Sequence, residues 1–134
     1  MLIIRKAQLH SMVLGQRDML IRDIEEHLAE CRPELLTIYP RPYLLWVIDD
    51  SIEIASRFRI DDTFSLRLFV RLRWEIAPGY YKQADIAHVL SQVQSSAEDR
   101  FKELATERYQ EAWEAAQQFD APDEWRARLW RDDQ

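Results

Sequence analysis

Cys31 is the one thiol of the chain, and His10, His27 and His88 are its three imidazoles. Together they fit no usual metal-ligand spacing. Cys31 reads as a small helix-end or core residue rather than a nucleophile. His88 has no second histidine one turn away, so it reads as a surface or hydrogen-bonded helix residue. The carboxylates Asp49, Asp50 and Glu53 form a short acidic cluster of the kind that can hold a metal or divide acid and base roles. On a helix, however, neighbouring Asp49 and Asp50 point in different directions, and no histidine or further carboxylate stands at a supporting interval. The cluster reads as a solvated face. An enzyme would need folding to bring Asp49 and Asp50 together with Asp61 and Asp62. With only two glycines, Gly15 and Gly79, the chain has no means of building a glycine-rich phosphate cradle. Arg67, Arg71 and Arg73 are the basic residues best spaced to meet nucleic acid, yet snorkelling or pairing with nearby acidic faces is the simpler reading. These residues predict a protein without catalytic, cofactor or metal sites that acts through its surface.

What positions them is expected to be one domain. A chain of 134 residues buries roughly two thirds of its unfolded surface, and a hydrophobic content of 47% with five Trp, five Tyr and five Phe supports a packed core. A formal charge of -6 argues against a partner bound through its phosphates, so no nucleic acid is expected. A lone cysteine places no demand on an oxidising compartment. Met1-Leu2-Ile3-Ile4 is followed at once by Arg5 and Lys6, which is not a signal-peptide pattern, and no apolar run approaches the roughly 20 residues that span a bilayer. No membrane partner is expected, and the cytoplasm is the natural location.

Helical periodicity runs through the chain. Leu9, Val13, Leu20, Ile24, Leu28 and Cys31 predict an amphipathic helix from Lys6 to about Cys31, with Gly15 a candidate for a bend or close packing. Pro33 opens a short helix carrying Leu35, Leu36 and Ile38, and Pro42 suits the first position of a second long helix reaching about Phe58. Asp61-Asp62-Thr63 is a start signal. In the segment that follows, Phe64, Leu66, Leu68, Val70, Leu72, Trp74 and Ile76 alternate like a strand, while Phe64, Leu68, Leu72 and Ile76 form an i,i+4 row. The preceding cap, the length and the want of a pairing strand decide for a central helix. Pro78-Gly79 marks a turn, with Tyr80 and Tyr81 either core lids or exposed contacts. Ala84, Ala87, Val89, Leu90 and Val93 make a shorter helix.

Ser95-Ser96-Ala97-Glu98 contains a capping box, which predicts one long final helix with Phe101, Leu104, Ala105, Arg108, Ala112, Ala115, Ala116 and Phe119 inward. Glu103, Glu107, Glu111 and Glu114 then line one side as like-charge neighbours, with Arg100, Lys102 and Arg108 available to neutralise them. Residues 120–134 carry Trp125, Leu129 and Trp130 on one side of a peripheral helix that either folds back or recognises a partner. The expected architecture is an all-α, single-domain bundle of about five or six helices. Its expected partner-binding surface combines the four glutamates with Trp125, Leu129 and Trp130.

Ile48-x3-Ile52-x-Ile54-Ala55-x2-Phe58-x-Ile60-x-Asp62, Phe69-Val70-x-Leu72, Pro78-Gly79-Tyr80-Tyr81 and Ile86-x3-Leu90 form a pattern, preceded by Ile3-Ile4-Arg5-Lys6-Ala7-Gln8-Leu9. In these residues, through about Leu104, the chain resembles small helical bacterial proteins associated with type VI secretion loci. That family's pattern has glycine before the isoleucine matching Ile60, where this chain has Arg59, and a tryptophan near the position of Ala84. The resemblance supplies no catalytic residue. It implies a binding role as an accessory or co-chaperone beside an adaptor chaperone and effector toxin. An immunity protein that occludes a cognate toxin is the alternative, and self-association is compatible with either.

Overall fold

The structure, a computed structural model, describes residues 6–119, with side chains from Gln16 onward. Among the described residues there are seven α-helices, two 3₁₀ turns and no strand. The protein is all-α. In chain order the helices are α1 (Lys6–Cys31), α2 (Glu34–Ile38), α3 (Arg41–Arg57), α4 (Thr63–Glu75), α5 (Ala84–Leu90), α6 (Ala97–Leu104) and α7 (Gln110–Ala116). The 3₁₀ turns are Tyr80–Lys82 and Glu107–Tyr109. The chain divides into two compact units, residues 1–49 and 50–134, and the division falls within α3.

In the first unit, α1 runs through Gly15 without interruption. Two ion pairs fix its register against the start of α3: Arg17 Nε to Asp49 Oδ1 and Arg41 Nε to Glu25 Oε2, each 2.8 Å. Going eight residues forward on α1 goes eight backward on α3, so the two helices are antiparallel. Ile24, Leu28, Leu35, Tyr43, Leu44, Val47 and Ile48 are buried. The Tyr39, Tyr43 and Trp46 rings follow one another at centroid distances of 5.5 and 6.1 Å.

In the second unit, α3 ends at a stop whose geometry is fully determined. Ile60 N–H donates to Ala55 O and Arg59 N–H to Ser56 O, both at 3.0 Å, and Arg59 has φ 53°. This is the helix stop in which a left-handed residue turns the chain and the next residue packs back. Ile60 is accordingly 1% exposed. Asp62 then caps α4, its carboxylate accepting from Ser65 N–H at 2.9 Å. Period 3.6 prevails over period two at Phe64–Ile76, as the cap suggested. The buried face differs from the expected i,i+4 row: Leu66, Phe69, Val70 and Arg73 are buried, while Phe64 is 63% exposed. A helix that is apolar nearly all round offers two such rows, and the inner one here contains an arginine, which hydropathy alone does not select.

Tyr80 is fully buried and donates to Phe69 O at 3.1 Å, whereas Tyr81 is half-buried. Phe58, Phe69, Tyr80, Tyr81 and Trp113 form a connected set of ring contacts between 5.5 and 6.5 Å. Gln83 caps α5 through Ile86 N–H, and Ser96 caps α6 through Asp99 N–H. The single long final helix does not exist. It breaks after Leu104 into α6, the Glu107–Tyr109 turn and α7. Thr106 Oγ1 donates to Glu103 O at 2.7 Å and Trp113 Nε1 to Leu104 O at 2.7 Å, so side chains satisfy carbonyls that a continuing helix would have used.

Candidate partner-binding surface

The break after Leu104 decides where the glutamates go. Tyr109, Ala112 and Ala116 are buried, and α7 packs against α5 and the Tyr80–Lys82 turn. The Trp113 ring meets Tyr80 at a centroid distance of 5.7 Å, tilted by 30°. With that face turned inward, Glu107, Glu111 and Glu114 are exposed, and none of them makes an ion pair among the described residues. Glu111 and Glu114 share one face of α7, and Glu107 precedes them in the 3₁₀ turn. Glu103 is set apart. It is half-buried on α6, and its Oε1 accepts from Tyr109 O–H at 3.0 Å. The continuous i,i+4 row expected of Glu103, Glu107, Glu111 and Glu114 is therefore corrected to three outward carboxylates and one that is partly structural. Burial first, then the Glu103 contact, raises the Tyr109 phenol above its ordinary range and keeps it a donor.

The cations expected to neutralise this row are engaged elsewhere. Lys102 pairs with Glu98 at 3.4 Å, and the Arg108 guanidinium lies 5.6 Å from the Tyr109 ring centre. Arg100 is 2% exposed and turned inward. Its Nη1 donates to Phe58 O at 2.7 Å and to Leu90 O, its Nη2 to Arg59 O at 3.3 Å and its Nε to Ser96 O at 3.4 Å. One guanidinium thus ties the C-terminal ends of α3 and α5 to the start of α6. Burial pulls its proton affinity down, against the attraction of Asp62 and Asp61. Sequence reasoning missed this role because a helical arginine among glutamates looks like a surface counter-ion.

Close to the acidic face, Phe119 is 38% exposed, and its carbonyl accepts from Gly79 N–H at 2.8 Å. A Cβ on Gly79 would stand 2.6 Å from that oxygen, so glycine is required there by close approach. Trp125, Leu129 and Trp130, the proposed apolar anchors, lie outside the described residues.

Of the carboxylates that suggested chemistry, Asp49 and Asp50 form ion pairs and Asp62 is a helix cap. Asp49 holds Arg17 and Asp50 holds Arg73, the latter at 3.1 Å. Arg73 is 4% exposed and also donates to Ser51 Oγ at 2.9 Å and Pro78 O at 2.8 Å. Arg71 pairs with Glu75 at 3.3 Å, so both arginines follow the pairing reading. Asp62 is the α4 cap. Cys31 is exposed at the end of α1, with its Sγ 3.7 Å from His27 Nε2 one turn back. His88 meets Gln92 at 3.2 Å. Among the described residues no three His, Cys, Asp or Glu side chains gather as a metal site, and no helix is long and apolar enough to cross a membrane. No protein-family model, curated protein or solved structure matches the chain.

Proposed function

We propose that this protein is a non-enzymatic interaction module, an accessory or co-chaperone that assists an adaptor chaperone in loading a type VI secretion effector. The observation that carries the binding part is the set of exposed carboxylates Glu107, Glu111 and Glu114, which lack ion-pair partners among the described residues and lie on a segment whose other face is packed. Such a face steers a basic partner and fixes its orientation, while affinity comes from apolar anchors. Phe119 is one such anchor within the described residues, and Trp125, Leu129 and Trp130 are proposed as the others.

The type VI assignment rests on the resemblance. Its residues Ile48, Ile52, Ile54, Ala55, Ile60, Phe69, Val70, Tyr80, Ile86 and Leu90 are all buried, and Asp62, Pro78 and Gly79 cap and turn the chain. The residues that carry the resemblance thus serve packing in this chain, and the binding role is an inference from the resemblance. The deciding experiment is co-purification with the adaptor chaperone and the effector encoded beside this gene. Capture of the chaperone, alone or with its effector, supports the co-chaperone reading. Capture of the toxin alone, with loss of its activity, replaces it by immunity. The pair Glu107→Lys and Glu111→Lys should weaken capture in a salt-dependent manner, and truncation after Phe119 should speed dissociation. Unchanged binding in both variants would remove the surface assignment.

A further inference from the structure

We draw no further inference here: the strongest candidate, the outward row of α4 on which Phe64 is 63% exposed and Leu68 is half-buried, is an unpartnered apolar face, and nothing in the structure shows what covers it.

Discussion

Replacing Arg59 by glycine should stabilise the protein. Arg59 is the non-glycine residue with positive φ among those described, at 53°, in the turn that ends α3. Holding an L-residue in this region costs roughly 1–2 kcal/mol, because Cβ crowds the carbonyl oxygen that follows. Glycine escapes that crowding but loses more chain freedom on folding, about 0.5–1 kcal/mol. The expected net gain is about 0.7 kcal/mol by difference. Little on the native side opposes it. The Arg59 side chain is exposed and makes no hydrogen bond or ion pair among the described residues, and the backbone carbonyl that accepts from Arg100 is retained by glycine. In urea unfolding followed by tryptophan fluorescence, the midpoint should rise by about 0.4 M at unchanged slope, taking a slope of roughly 1.7 kcal/mol/M. Arg59→Ala separates backbone from charge. Alanine removes the guanidinium but keeps Cβ, so it should stay within about 0.5 kcal/mol of the parent. Two results refute the reasoning: a lower midpoint for Arg59→Gly, or an equal rise for Arg59→Ala.

Arg100→Met should destabilise by about 3–5 kcal/mol, since it strands buried carbonyls at roughly 1–3 kcal/mol each, with partial relief by relaxation and water. Arg100→Lys should recover only part of this, because a point ammonium cannot reach carbonyls on three elements at once; full recovery, read as the thermal midpoint, would contradict the clamp geometry. Gly79→Ala should detach the end of α7 from the Pro78–Gly79 turn or strain it, at a cost of about 1–3 kcal/mol, and hydrogen exchange at the Gly79 amide should accelerate. Alkaline unfolding should carry a Tyr80 contribution. Burial holds this phenol neutral, its folded-state proton affinity lying well above the ordinary 10.0. Its stabilisation is therefore complete below pH 10 and declines as pH rises beyond it, where the unfolded phenol ionises first. Tyr80→Phe should flatten the fall of stability between pH 10 and 11.5, and an identical slope would count against the burial argument.

The helices most legible in the sequence were those bounded by local chemistry. Asp62 caps the helix that its position announced, the cap of α6 is Ser96 rather than the Ser95 that stands three residues before Glu98, and Pro33 and Pro42 stand at the starts of α2 and α3. Less legible was anything set by tertiary competition. Ala105 and Thr106 contain no glycine or proline, so the break between α6 and α7 carried no obvious punctuation. A quieter signal existed. The buried positions Phe101, Leu104, Tyr109, Ala112 and Ala116 step by three, five, three and four, and a step of five cannot stay on one helical stripe. Choosing Arg108 over Tyr109 for the inner stripe concealed it. The acidic surface was legible by composition, whereas the inward turn of Arg100, which takes one cation away from Glu107, Glu111 and Glu114, depends on carbonyls 10 to 42 residues away in the chain.

Among the described residues two basic side chains, Arg73 and Arg100, lie in the interior, and no carboxylate is buried. The Arg100 charge is faced by the carbonyl ends of α3 and α5, and that of Arg73 by Asp50 and the Pro78 carbonyl. Their fields are largely answered inside the molecule. The net charge of -6 still sets the field at a distance, while the charges exposed at the surface of the described residues are weighted further toward carboxylates. Mobile ions screen outward charges over a Debye length of about 8–10 Å but leave interior ones nearly untouched. Added salt should thus weaken long-range attraction of cations to the protein while the guanidinium that joins its helices keeps its hold.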